Sequence, residues 1–361
     1  MQSKSLFFFA FCLSNLSSVS QNFPQAYNPQ LFTTPLAYTA IYVKQKITID
    51  GSINEAAWQQ AKWSENFTDI EGNIKPHPSF DTHMKILWDD SCLYIATHLQ
   101  EPHLNANLLQ HDTIVFQNND FEIFIDPDKD THEYFEIEVN ALNTIFDLFL
   151  TKPYRNGGHA VISYDVPDLK SAVELQGTLN KGMDRDSGWT IEIAIPFRAI
   201  NFGFKKSYAP VDGSFYRINF SRVEWDWDII NGDYVKRKNS YGQNLPEHNW
   251  VWSPQGVINM HFPERWGYLF FSKDSHATYN IPATEEVKNF LWLLYYKQKD
   301  FYKKTNQYAI NLNELELPST FQVSQKNYYL SLIGTSLQFV AAITEEGNKQ
   351  KWTINDEGKV K

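Results

Sequence analysis

The stretch from Asn118 to Asn140, NNDFEIFIDPDKDTHEYFEIEVN, alternates long apolar side chains with acidic ones in two runs. Successive side chains of a β-strand point to opposite faces, so this alternation predicts two strands, 120–126 and 134–140. The polar residues between them carry no strand pattern and predict the connection of a hairpin. One face of the hairpin is wholly apolar and is expected to face the core, while the other is acidic.

The register of this hairpin follows from its apolar pattern. If Asp126 pairs with Tyr134, the apolar residues of the two strands oppose one another, and Glu122 lies opposite Glu138. Directly opposed like charges destabilise the face of a sheet. The pair therefore calls for a cation, a cluster of ligand hydroxyls, an arginine from a third strand, or ample water.

Three interpretations of Glu122 and Glu138 stay open at this point. The acidic face can be an ordinary solvated sheet surface or a polar binding face. It can also be a catalytic pair, because carboxyl groups about 5–5.5 Å apart suit retaining glycoside hydrolysis. In the later run YRINFSRVEWDWD, Arg217 and Asn219 share one strand face. Arg217 is our first candidate for a cation that neutralises the two glutamates. Asn219 could donate a hydrogen bond to a hydroxyl group of a ligand.

The connection of the hairpin suggests a metal site. Asp126, Asp128 and Asp130 recur at every second position, and hard cations such as calcium take carboxylate oxygens of this kind. The glycine and the terminal glutamate of a calcium-binding helix–loop–helix are not at the required offsets. A calcium ion and a plain hydrated turn are therefore both compatible with the sequence.

The rest of the chain predicts a mainly β protein. Most further strand candidates are short, alternate in polarity and end at Gly, Pro, Asn or Asp, which favours an antiparallel, jelly-roll-like β-sandwich over 42–272. Residues 21–41, with three prolines, predict an irregular leader. After residue 272 the pattern changes to a helix over 285–304 followed by strands, so we expect a small α+β region at 280–361.

The first twenty residues have the form of a secretory signal. Lys4 precedes the apolar run from Leu6 to Leu16, and small residues follow at 18–20. We therefore expect cleavage near Gln21 and a secreted, periplasmic or cell-surface protein. No later apolar run approaches the ~20 residues of a membrane-spanning helix.

Charge and motifs exclude several functional classes. The net charge is −10 and no basic run is present, which disfavours binding to nucleic acid. The nucleophile elbow, the zinc-protease helix, the phosphate loop and the dinucleotide fingerprint are absent from the sequence. The aromatic content of 16% fits either large sheet cores or sugar-stacking surfaces.

Five segments occur in an order that resembles a known family: ITIDGSINEAAWQQA, MKILWDDSCLYIATHLQEP, NDFEIFIDPD, GWTIEIAIPF and PERWGYLFF. Together they resemble the family 9 carbohydrate-binding module, in its large secreted bacterial variant, over about residues 42–272. The resemblance implies a β-sandwich with structural calcium ions. It also implies binding of glucan or xylan chain ends, usually in company with glycoside hydrolases.

The resemblance also assigns roles to individual positions. Glu122 corresponds to the sugar-binding glutamate of the family, and Phe116 stands where a tryptophan stacks on the sugar. Glu138 falls where relatives have an arginine, which reverses the charge. The second stacking tryptophan would fall near Met260.

We therefore expect a secreted, non-catalytic carbohydrate-binding protein that recognises plant or algal polysaccharide during its breakdown. One alternative is a glycoside hydrolase that uses Glu122 and Glu138. Another is an envelope scaffold without sugar binding, in which 280–361 is the working part. The ligand-binding residues expected from the sequence are Phe116, Glu122, Glu138, Asn140, Arg217 and Asn219.

Overall fold

The computed structural model describes residues 33–203 and 205–361, so the signal segment 1–20 and most of the leader lie outside the described residues. The described chain is mainly β, as the sequence predicts. Its one α-helix, α1, spans Ala283–Thr305. The strands are β1 Ala37–Tyr42, β2 Thr68–Asp69, β3 Thr82–Trp88, β4 Cys92–Gln100, β5 Asp120–Asp126, β6 Tyr134–Asn140, β7 Ile145–Leu150, β8 Ala160–Val161, β9 Lys170–Gln176, β10 Gly188–Pro196, β11 Phe215–Glu224, β12 Trp227–Ile230, β13 Asp233–Lys236, β14 His248–Val251, β15 Gly267–Ser272, β16 Thr320–Val323, β17 Lys326–Gly334, β18 Phe339–Glu345 and β19 Lys351–Asn355.

A single curled sheet of thirteen strands dominates the described part of the chain. Its order is β8-β7-β6-β5-β11-β15-β1-β3-β4-β10-β9, with β14 and β2 attached beside β11. The two halves of the sheet bury their apolar faces against each other, so that Phe121 and Ile123 of β5 share a core with Trp189 and Ile191 of β10. The predicted β-sandwich is confirmed, and its two layers belong to one continuous sheet.

The hairpin of β5 and β6 has the predicted register. Glu122 pairs with Glu138, and Phe121 pairs with Val139. The apolar face joins the main core. The acidic face is largely covered as well: a second apolar cluster, which includes Val115 and Trp266 from outside the hairpin, packs on it around an open cleft. All residues of both strands are therefore buried.

The leader differs from its prediction where it is described. Residues 37–42 form β1, which pairs in parallel with both β15 and β3 and so joins the two halves of the sheet. Pro35 lies before this strand, and the sequence AYTAIY supplies the β-branched and aromatic residues that favour a central strand. The irregular segment thus ends before residue 37 and the sandwich begins earlier than residue 42.

The C-terminal region is an α+β unit that contacts the sandwich. Helix α1 packs its apolar side chains, such as Leu291 and Leu294, on the four-stranded sheet β16–β19. The segment after β19 contacts the β5–β6 loop, where the Lys359 ammonium lies 2.9 Å from a carboxylate oxygen of Asp130. Among the described residues, no helix combines the length and the apolar character that crossing a membrane requires.

Candidate functional site

A cleft of about 490 Å³ opens over the acidic face of β5 and β6. Strands β5, β6 and β7 form its floor, and loops around residues 114–116, 154, 246–249 and 258–261 form its rim. Its lining combines carboxylates, aromatic rings and apolar side chains, among them Phe116, Glu122, Glu138, Tyr154, Met260 and His261.

Four carboxyl groups crowd the floor of this cleft. Glu122, Glu136 and Glu138 line it, and Asp120 lies beside them with no exposed surface. Oxygen atoms of Asp120, Glu122 and Glu138 lie within 4.8 Å of one another. Glu138 Oε2 accepts a hydrogen bond from the backbone N–H of Phe116 at 3.1 Å, which ties the acidic cluster to the rim.

Burial and mutual repulsion change the acidity of these groups. Burial raises the pKa of Glu122 to about 7, and burial together with the charge of Glu122 raises the pKa of Glu136 to about 8. The pKa values of Asp120 and Glu138 are also raised, first by burial and then by neighbouring carboxylates. The charged groups that act on the cluster are other carboxylates, so it holds protons at neutral pH or needs a cation.

Phe116 lies at the rim in the short helical turn Val115–Gln117 and is half-buried. Its carbonyl oxygen accepts a hydrogen bond from Trp225 Nε1 at 2.8 Å, which fixes the turn against the sheet. The ring lines the same cleft as Glu122 and Glu138. Three of the residues predicted from the sequence are therefore brought together.

A second aromatic group, which the sequence reasoning missed, lines the same cleft. Tyr154 and His261 contact each other edge to face, with ring centroids 4.6 Å apart. The His261 Nδ1 atom lies 2.9 Å from the hydroxyl of Tyr134. Burial and the nearby Arg155 lower the pKa of His261 to about 4, so its ring is neutral at physiological pH. Both residues lie in loops, where no periodic pattern marks them.

Met260 lies on the wall of the cleft where the resemblance places a second stacking tryptophan. Its sulfur accepts a hydrogen bond from Gln255 Nε2 at 3.1 Å, and its side chain is buried. The adjacent His261 and Tyr154 provide the exposed aromatic surface on this part of the rim.

The other predicted ligand residues do not line the cleft. Arg217 donates to the Tyr268 hydroxyl at 2.8 Å and to the backbone oxygens of Glu264 and Trp266 at 2.8 and 2.5 Å. It also lies 3.5 Å from a carboxylate oxygen of Glu285 on α1. The expectation that Arg217 neutralises the glutamates is thus corrected, because its guanidinium is directed to β15 and α1.

Two predicted polar residues hold loops in place. Asn219 donates to the carbonyl oxygen of Ser253 and accepts the Ser253 backbone N–H, at 2.9 and 3.0 Å. Asn140 donates to the carbonyl oxygen of Leu108 and accepts the backbone N–H groups of Leu142 and Thr144, all at 3.0 Å. These contacts leave both amides in buried hydrogen-bond networks outside the cleft lining.

The aspartates of the β5–β6 loop, Asp126, Asp128 and Asp130, are not among the acidic groups of the described residues whose oxygens converge within 4.8 Å. The two Asp126 oxygens accept the backbone N–H groups of Lys129 and Thr131, at 2.8 and 2.9 Å. Asp130 accepts the N–H of His132 at 2.9 Å and pairs with Lys359. Asp128 Oδ1 lies 3.4 Å from the Asp130 N–H. Each carboxylate oxygen keeps a second lone pair beside such a bond, so a calcium ion at this loop stays a prediction.

Two further acidic groups converge elsewhere in the described residues. Glu192 lies near Asp50 and Glu55. Its carboxylate accepts hydrogen bonds from Trp58 Nε1 at 2.7 Å and from the Gly51 backbone N–H at 2.9 Å. A second group gathers around an exposed histidine and comprises His111, Asp112, Asp147 and Asp165. Neither group lines the cleft.

Comparison with known proteins finds a family match for part of this chain. Residues 49–213 match the family described as carbohydrate family 9 binding domain-like, which confirms the resemblance over those residues. A search of curated proteins gave no match.

Among solved structures, a candidate carbohydrate-binding protein of Bacteroides uniformis is 15% identical, with a TM-score of 0.48 over 66% of this chain and 100% of its own. A family 9 carbohydrate-binding module of Caldicellulosiruptor kristjanssonii, solved with cellotriose and with glucose, is 16% identical. Its TM-score is 0.40, over 68% of this chain and 100% of its own.

Proposed function

We propose that this protein binds carbohydrate in the cleft over β5 and β6. One observation carries the proposal: Phe116, the buried Glu122 and the Tyr154 ring, all within the segment that matches the family, line one open cleft. The cleft volume of about 490 Å³ is within the ~300–1,000 Å³ typical of small-molecule sites.

The chemistry of the lining suits a sugar. An aromatic ring such as Phe116 or Tyr154 can stack on the apolar C–H face of a pyranose. The carboxyl group of Glu122 or Glu138 accepts hydrogen bonds from sugar hydroxyls in either protonation state, and it also donates one when it is protonated. Because the carboxylates lie at the floor and the rings at the rim, a single sugar can contact both.

The cellular location and the source of the carbohydrate are further parts of the proposed function. We propose that the protein is exported by its N-terminal signal to the periplasm, cell surface or medium. There it would bind plant or algal oligosaccharide or polysaccharide alongside glycoside hydrolases. Sugar sites of this kind bind with micromolar to millimolar dissociation constants, or about 4–8 kcal/mol.

Isothermal titration calorimetry with oligosaccharides from cellulose, xylan and algal polymers tests the proposal, in buffer with calcium. We expect at least one of these sugars to bind, and Phe116→Ala to weaken its binding. Absence of heat with every sugar, or a Phe116→Ala variant that binds as wild type does, would contradict the proposal.

A glycoside hydrolase is the second candidate, because two carboxyl groups with raised pKa values face the same cleft. A retaining enzyme needs one carboxylate that stays ionised as the nucleophile. Here the pKa values of Glu122, Glu136 and Glu138 are all raised, which favours binding over hydrolysis. Release of reducing ends that disappears in both Glu122→Gln and Glu138→Gln would favour the enzyme instead.

A further inference from the structure

We propose that Asp120, Glu122 and Glu138 hold a divalent cation of the oxygen-binding kind, such as Ca²⁺, at the floor of the cleft. This site is distinct from the aspartates of the β5–β6 loop, which the sequence pattern offers as metal ligands.

The geometry of the sheet brings the three carboxylates together. Glu122 and Glu138 are direct partners across the β5–β6 pair, and Asp120 lies two residues before Glu122 on the same face. One oxygen of each lies within 4.8 Å of the others, so a small inward shift of the side chains brings all three to the 2.3–2.6 Å at which Ca²⁺ binds oxygen. All three side chains are at most 5% exposed.

An unpartnered buried oxygen points independently to a ligand. Asp120 Oδ1 accepts the backbone N–H of Val223 at 3.3 Å, but Asp120 Oδ2 has no hydrogen-bond partner and no access to solvent. A buried carboxylate oxygen without a partner is costly, and native structures seldom keep one. Ser221, which pairs with Glu122 from β11, adds a buried hydroxyl oxygen beside the same carboxylate.

Basic side chains of β11 and β13 are committed to other groups. The Arg222 guanidinium lies 2.9 Å from Glu101 and 2.7 Å from Glu224. Arg217 is held by the Tyr268 hydroxyl of β15 and by two backbone oxygens of the turn before that strand. Lys236 lies over the Trp225 ring. Within the described residues, none of these cations pairs with the cluster, so its negative charge is uncompensated by protein.

Protons provide the competing way to neutralise the cluster. Buried carboxyl groups that share one site favour their protonated forms when no cation is present. A cation requires ionised ligands and must displace these protons. Binding should therefore release protons and strengthen as the pH rises, which distinguishes it from weak attraction to surface carboxylates.

One consequence rests on the proposed function. An ion at the floor of the cleft, which accepts six to eight oxygen ligands, would leave positions for sugar hydroxyls beside Phe116. Carbohydrate affinity should then fall when the ion is removed.

Calorimetric titration of the chelator-treated, full-length protein with CaCl₂, without sugar, tests the cation site. We expect one saturable site whose heat depends on the ionisation enthalpy of the buffer, as proton release requires. Glu138→Gln should weaken this site at least tenfold. Glu133→Gln, the same change at an exposed position of the same hairpin, should leave it unaltered. Absence of a saturable site, or equal binding by both variants, overturns the proposal.

A second variant keeps the test valid if Glu138→Gln folds poorly. Glu138→Arg puts a fixed positive charge where the ion would lie, so it should fold and lose the calcium site. Wild-type-like calcium binding by Glu138→Arg overturns the proposal. Binding of a glucosamine oligosaccharide in EDTA, with no calcium site, also overturns it in favour of an organic cation.

Sugar titrations with and without EDTA separate the two proposals. Calcium binding without any sugar binding supports the cation site and contradicts carbohydrate binding. Sugar binding that is equal in calcium and in EDTA, with no calcium site, overturns the cation and leaves carbohydrate binding in place.

Discussion

Glu122 and Glu138 face each other across β5 and β6, with carboxylate oxygens within 4.8 Å, and both are almost wholly buried. Opposed like charges are unfavourable on a sheet face even in water, and burial removes the solvent that would screen them. The apolar residues packed around the acidic face thus strengthen the repulsion between the two carboxylates. This arrangement determines how the protein should respond to pH, ligand and substitution.

The acidic cluster should make the protein less stable as the pH rises in the absence of metal. Folding keeps protons on Glu122 and Glu136 up to about pH 7 and 8, whereas the unfolded chain releases them near the ordinary value of 4.5. Their contribution is fully present below pH 4.5 and is lost as the pH rises through about 8. Urea unfolding in EDTA should therefore show that Glu136→Gln gains stability relative to wild type between pH 5 and 8.5.

Other groups titrate in the same range, so the difference between two pH profiles is the informative quantity. Burial also raises the pKa of Glu192 to about 7, and this residue is unchanged in the variant. Glu133→Gln is the control, since it removes an exposed charge from the same hairpin. Parallel profiles for wild type and Glu136→Gln would show that the cluster does not hold its protons.

Replacing the ring of Phe116 should weaken sugar binding about tenfold, since an aromatic contact contributes roughly 0.5–1.5 kcal/mol beyond the area it buries. Phe116→Trp should retain binding because the larger ring keeps the stacking face. Calorimetry with the best oligosaccharide measures both. Tyr329→Ala, which removes an exposed ring from β17, is the control and should bind as wild type does. Equal losses in the two alanine variants would mean that the contact at Phe116 is not specific.

The sequence predicts the floor of the site well because the floor depends on local rules. Period-two alternation and a fixed connection determine the register of β5 and β6, and hence which residues share a face with Glu122. Phe116 lies outside the hairpin, and the family resemblance rather than the strand pattern predicts its place in the site. Fold class follows from the same repeated pattern along the chain.

The rest of the site depends on contacts between distant segments, which no local pattern encodes. Trp266 packs in the apolar cluster on the acidic face, although it lies more than a hundred residues after β6 in the sequence. Tyr154 and His261 come from two loops separated by more than a hundred residues. Arg217 has the residue type and strand face that a partner for Glu138 needs, but its place at the far end of β11 brings it to Tyr268 instead.

Removing the charge of Arg155 should destabilise the protein by about 1.5–3 kcal/mol, the range for losing a hydrogen bond to a charged group, since its side chain is 20% exposed. Its guanidinium donates to the Glu264 carboxylate at 2.8 Å and to the His261 carbonyl oxygen at 2.9 Å. Burial alone would raise the pKa of Glu264, but Arg155 and Arg265 outweigh it and hold the pKa below its ordinary value. Arg155→Met would remove one of the two positive charges that stabilise the ionised Glu264 carboxylate.

Urea unfolding at pH 7 measures this effect. The stability loss caused by Arg155→Met should shrink as the pH falls below about 4.5. Glu264 of the unfolded chain then binds a proton, so folding no longer gains from keeping this carboxylate ionised beside Arg155. Arg185→Met, at an exposed position, is the control and should change stability by less than about 0.5 kcal/mol. A cost for Arg155→Met that does not vary with pH would assign the effect to packing of its side chain.

The β5–β6 loop should behave as a docking element for the C-terminal segment rather than as a calcium site. Asp130 pairs with Lys359 at 2.9 Å, and the hydroxyl of the adjacent Thr131 donates to the Gly358 carbonyl oxygen at 2.7 Å. Asp130→Asn should therefore lower the free energy of unfolding by about 0.5–1 kcal/mol, since the ion pair is partly exposed. The number of calcium ions bound per chain should not change.

Lys359→Met should reproduce the stability loss of Asp130→Asn, because both changes remove the same pair. The double variant should lose little more than either single variant if the two residues act mainly on each other. Denaturation in 1 M NaCl should reduce the loss, because salt screens a partly exposed pair. Loss of one bound calcium in Asp130→Asn, but not in Lys359→Met, would instead place a metal ion in this loop. In that case the lysine would occupy the position of the ion only when calcium is absent.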